Sequence, residues 1–113
     1  MTWLSFVEDV EANGTTTIPY KVTYPGFISE ANIFLENSDL GVTIFVGSKI
    51  QVPEGRDYIF RFTGNKRFLL NIPVKKGEFV RVVFTNASAT TAYFGSVFIH
   101  NIRRLHEPVQ EDL

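Results

Sequence analysis

The chain has 113 residues and no cysteine, with 44% hydrophobic residues, 20% charged residues and a net charge of −1. That is the size and composition of one domain, and it excludes a disulfide framework, a thiolate nucleophile and a thiolate metal site. His100 and His106 are the only imidazoles, which excludes a multi-histidine metal centre, and the balanced charge argues against a strongly basic nucleic-acid binder.

The first segment, Met1 to Asp9, has no basic region before its apolar residues and meets acid at once, so it does not read as a signal peptide. Glu8, Asp9, Glu11 and Ala12 are weak strand formers, so residues 3–12 allow a single helical turn. Beyond it the apolar period is two, the period of a pleated strand. Ile18, Tyr20, Val22 and Tyr24 alternate with Pro19, Lys21 and Thr23. Ala31, Ile33 and Leu35 alternate with Asn32, Phe34 and Glu36. Tyr58, Phe60 and Phe62 repeat the pattern, as do Val80, Val82 and Phe84. Gly14, Pro25-Gly26, Gly41, Gly47, Pro53-Glu54-Gly55, Gly64-Asn65 and Lys75-Lys76-Gly77 cut these runs at regular intervals. About eight strands follow, near 3–8, 15–24, 27–36, 42–46, 56–63, 67–72, 78–86 and 92–103. Short strands at this spacing predict an all-β fold: an antiparallel β-sandwich of jelly-roll type. The expected division is one sandwich domain over 1–104 and an acidic C-terminal tail over 105–113.

Three runs are apolar on both parities: Val42 to Val46, Arg67 to Ile72 and Tyr93 to Ile99. A lone sandwich leaves its outer faces polar, so a doubly apolar strand implies a second buried face. The expected interface residues are Phe45, Phe94, Phe98 and His100, with Trp3 and the N-terminal arm as a docking segment. The partner this implies is another copy of the chain.

Charge is partitioned along the sequence. Residues 1–55 carry two bases and seven acids, residues 56–104 nine bases and two acids, and residues 105–113 three acids and no Lys or Arg. If the halves occupied different faces, the partition would favour lateral contacts between copies or an anionic partner.

Catalytic constellations are thin, and no catalytic residue, cofactor or metal site is expected. Glu8, Asp9 and Glu11 read as a solvated face and not as an acid–base pair across a cleft. Gly47-Ser48-Lys49 lacks the spacing of a phosphate loop. Glu36 to Asp39 is the one stretch with calcium-loop character, and it reads better as a turn. The sequons at Asn13 and Asn86 read as turn residues. Bases and aromatics interleave over 56–81, as on single-strand binders, but the aromatics share one parity and the bases take the other, which places the aromatics in a core. No apolar run approaches the roughly 20 residues that span a bilayer. A carbohydrate-binding module is the alternative. Its platform candidates are Trp3, Tyr20, Tyr24, Tyr58 and Tyr93, and all but Trp3 lie at positions whose parity suits the core.

The segment Ile72-Pro73-Val74-Lys75-Lys76-Gly77-Glu78-Phe79-Val80-Arg81-Val82-Val83-Phe84-Thr85-Asn86 has a Lys-Gly turn feeding a strand that ends in Thr-Asn. With the long last strand it resembles the small jelly-roll and sandwich modules of bacteriophage virion proteins, capsid decoration proteins and fibre heads among them. The resemblance covers roughly residues 50–103. It implies a non-enzymatic structural protein of the virion, made in the host cytoplasm, that packs against copies of itself around a three-fold axis and against a larger capsid protein.

Overall fold

The computed structural model describes residues 1–52 and 60–103. The expected tail, and the first half of the strand expected over 56–63, lie outside the described residues. Within them the fold is all-β, with seven long strands and two short ones. These are β1 (Thr2–Val10), β2 (Thr15–Lys21), β3 (Gly26–Leu35), β4 (Leu40–Val46), β5 (Lys49–Val52), β6 (Phe60–Arg61), β7 (Gly64–Val74), β8 (Phe79–Asn86) and β9 (Ala92–Asn101). They form two antiparallel sheets. Sheet A has the order β1-β9-β3-β7; sheet B has the order β2-β8-β4-β5, with β6 also pairing β4. The architecture is the expected β-sandwich.

Alternation assigns the faces. In β8, Val80, Val82 and Phe84 are buried between the sheets while Arg81, Val83 and Thr85 are only partly so. In β4, Leu40, Val42, Ile44 and Val46 point the same way. Sheet A answers with Ala31, Ile33 and Leu35 from β3 and Phe94 and Phe98 from β9. The sheets meet where Phe84 stacks on Phe94, ring centroids 3.6 Å apart and planes within 10°. Both rings are fully buried.

The segment that allowed a helical turn is strand. β1 pairs with β9 over its whole length, from Thr2 opposite His100 to Val10 opposite Ala92. Leu4 and Phe6 pack against the core, and Val10 is fully buried. This pairing and burial outweigh the weak strand preference of Glu8 and Asp9.

Turn chemistry accounts for several motifs. Gly47-Ser48 is the two-residue connection of the β4–β5 hairpin, and Gly47 has a φ of 61° that suits glycine. The resemblance of this stretch to a phosphate loop is therefore a hairpin turn. Asn13 takes a φ of 54° in the β1–β2 turn, a conformation asparagine tolerates. The Asn86 side chain is buried; its amide donates to the carbonyls of Val10 and Thr90, and its Oδ1 accepts from Ser88 N. Neither sequon asparagine lacks a structural task. In Glu36 to Asp39, Asn37 Oδ1 accepts from Asp39 N, the bond of an Asx turn.

Candidate functional site

The pairing registers lay the outer face of sheet A out in rows. Trp3 pairs Ile99, Ile99 pairs Glu30, and Glu30 pairs Leu69, so these four form one row across the sheet. The next outward row is Ser5, Val97, Asn32 and Arg67, and the one after it is Val7, Gly95, Phe34 and Asn65. Side chains directly opposite in antiparallel strands share a face. Trp3 is 61% exposed, Val7 74% and Leu69 58%. Ile99 is buried, yet it stands apart from the core cluster between the sheets. At the far end of this face Phe34 and Tyr93 are in contact, centroids 5.5 Å apart. The face is an apolar surface bounded by a Trp at one sheet edge and a Leu at the other.

A polar group interrupts it. Arg67 Nη2 donates to Glu30 Oε1 at 2.9 Å, and Asn32 Nδ2 donates to Glu30 Oε2 at 3.0 Å. The Glu30 carboxylate holds the Arg67 guanidinium above its ordinary pKa, through the hydrogen bond and the charge. Both carboxylate oxygens are thus engaged and the three side chains hold one another in place. This arrangement can present a guanidinium and an amide beside apolar rows. It holds no nucleophile next to a base.

The five residues expected at an interface divide sharply. Trp3 lies exposed on the outer face of sheet A, opposite Ile99. Phe45 is half-buried on sheet B, with the Arg81 guanidinium 4.5 Å from its ring centroid. Phe94, Phe98 and His100 point the other way, into the space between the sheets, with relative exposures of 0%, 2% and 0%. Their expectation as interface residues is corrected: they are spent on the core of this chain. The outward parity of β9 is that of Tyr93, Val97 and Ile99. Tyr93 is 43% exposed, which corrects its assignment to the core.

His100 anchors one end of the sandwich. Its Nδ1 is 2.7 Å from the Tyr20 hydroxyl. The Tyr24 ring stacks on the imidazole at 3.9 Å and 6°. Tyr24 Oη donates to the His100 carbonyl, which leaves Thr2 Oγ1 as the donor to Tyr24 Oη. Burial pushes the His100 pKa below its usual value, and burial together with nearby Tyr24 pushes the Tyr20 phenol up. Next to it, Asn101 Nδ2 donates to Ser29 Oγ, the extra residue where β3 bulges between Ile28 and Glu30. The cluster ties β1, β2, β3 and β9 together at one end. It is a structural knot, with the imidazole enclosed.

The charge partition of the sequence is not a partition of faces. Each sheet draws strands from both the acidic and the basic segments, because β1 and β3 alternate with β9 and β7, and β2 and β4 flank β8. What survives is a contrast between the two edges of sheet A. β1 carries Glu8 and Asp9 and no base; β7 carries Lys66 and Arg67 and no acid.

The residues that build this face and that pattern reading missed are Leu69, Ile99, Val7 and the Glu30–Asn32–Arg67 group. The apolar parity of Val97 and Ile99 was a signal for part of it. The chain matches no family model and none of the curated proteins. No helix among the described residues is long and apolar enough to cross a membrane.

Proposed function

We propose that this chain is a non-enzymatic structural protein of a virion, a capsid decoration or minor capsid subunit that works by packing against copies of itself and against a larger capsid protein. The observation that carries the self-association is the row Trp3, Ile99, Leu69 on the outer face of sheet A, apolar from edge to edge but for Glu30. Covering such side chains contributes roughly 25 cal/mol per Å² of apolar area, offset in part by the cost of association. The strand order supports the jelly-roll form of the sandwich. The first strand lies beside the last in sheet A, and the second beside the next-to-last in sheet B. The virion setting rests on the resemblance of residues 72–86 to phage modules, and so do the larger capsid partner and the homotrimer.

A second reading has its own observation. Trp3 stands on the same sheet face as Glu30, Asn32 and Arg67, an aromatic side chain with hydrogen-bonding groups, which is the composition of a sugar-binding surface. Sedimentation mass against concentration, with and without a panel of glycans, separates the two. A closed oligomer supports the structural role. A strict monomer that gains melting temperature with one class of glycan overturns it in favour of carbohydrate binding.

A further inference from the structure

Sheet A ends in two open strands, β1 and β7, and no other described strand pairs along their outer edges. Such edges are templates for another strand unless they are guarded. β7 carries Lys66, Arg67 and Pro73, but Lys66 and Arg67 share the rows of the uncharged Phe6 and Ser5, and Pro73 shares the row of Asn101, beyond the first paired residue of β1. β1 contains no Lys, Arg, Pro or Gly over its nine residues.

We propose that the β1 edge of one copy adds antiparallel to the β7 edge of the next, continuing sheet A from subunit to subunit in a ring. The inference rests on the self-association proposed above and names its interface. Direction permits it: each strand of sheet A is antiparallel to its neighbour, so β7 runs opposite to β1. A simple lateral repeat of the sheet therefore meets β1 with an antiparallel β7. Register also permits it. Trp3 and Leu69 already share a row, so the repeat sets the exposed Leu69 of one copy beside the exposed Trp3 of the next. On the inner face Leu4 and Phe68 share a row through Phe98 and Ala31, and both are partly buried against the core. The repeat brings those two together as well.

Charge favours this pairing over a β7–β7 contact. Two β7 edges paired about Lys66 and Arg67 would set these bases against the same residues of the partner. In the β1–β7 junction Glu8 lies on the diagonal from Lys66, because Glu8 shares the row of Gly64. Opposite charges at such positions favour the pair, and like charges exclude the alternative. A contact between two different edges is head-to-tail, and it closes into a ring where the rotation from copy to copy closes; the number of three copies is that of the reading above.

The test uses Trp3→Lys, which spoils the β1 edge, and Leu69→Lys, which spoils the β7 edge. Both side chains are exposed in the single chain, so each variant folds, with the far-ultraviolet circular dichroism of the wild type. Each alone sediments at one-copy mass, a three-fold drop from wild type. Mixed in equal amounts they form a two-copy complex, since one intact edge of each kind remains. A wild-type protein that is monomeric at every concentration overturns the self-association itself. A wild-type oligomer whose mass survives Leu69→Lys, or variants that stay monomeric when mixed, overturns this interface alone.

Discussion

The Tyr20 hydroxyl and His100 Nδ1 meet at 2.7 Å, joining β2 of one sheet to the last strand of the other. Burial holds His100 in its neutral form and lowers its pKa from an ordinary value near 6.5. The unfolded chain takes up a proton near that value while the folded chain resists it. The stability this contributes is full above pH 6.5 and is lost as pH falls toward the depressed folded value. The melting temperature is expected to fall as the pH drops from neutral to about 5, and His100→Leu to remove the part of that slope that lies in the histidine range. Parallel slopes for the two proteins would contradict this account of His100.

Phe84 and Phe94 carry the contact between the sheets. Truncating either leaves a cavity where two rings had stacked, so Phe94→Ala is expected to cost about 3–5 kcal/mol in denaturant unfolding. A loss below about 1 kcal/mol would mean that the sheets repack freely there.

Gly26 begins β3 where the chain passes Asn101. A Cβ at this position would stand 2.0 Å from the Asn101 carbonyl oxygen, so one backbone must move. Gly26→Ala is expected to destabilise the fold by about 1–3 kcal/mol, the usual cost of overpacking. Gly95→Ala is the control, because its Cβ would meet only Val7 Cγ2 at 3.7 Å and the Phe6 carbonyl oxygen at 3.8 Å. Equal melting temperatures for the two variants would contradict the distinction.

Asn86 joins the β8–β9 loop to the end of β1. Asn86→Ala removes two donated bonds and one accepted bond and leaves the buried Val10 carbonyl without its side-chain partner. The expected loss is about 2–3 kcal/mol, measured by denaturant unfolding. Asn86→Asp keeps the acceptor to Ser88 N but loses both donors, so it is expected to be no better than alanine.

Strand periodicity was legible wherever one face is core and the other is solvent. In β8, Val80, Val82 and Phe84 against Arg81 and Thr85 leave no doubt about the face. Two features were less legible, for physical reasons. β1 carries its acids on a strand held by pairing and core contact, which local preference does not record. β9 is apolar on both parities, so the sequence alone could not say which parity the core takes. The opposite sheet decides it, through Phe84 on Phe94 and Tyr20 on His100. The edge-to-edge row from Trp3 to Leu69 joins residues that are 66 positions apart, and only the registers of three strand pairs bring them into line.

In the proposed assembly the β7 edge of a second copy lies along β1 and sets its Leu69 beside Trp3. Trp3 stands at that edge and is the only tryptophan of the chain, so its fluorescence reports on that place and no other. Trp3 emission measured against protein concentration is predicted to shift to the blue, with a midpoint that matches the rise in sedimentation mass. Emission that stays at the solvent-exposed wavelength while the mass rises would contradict the claim.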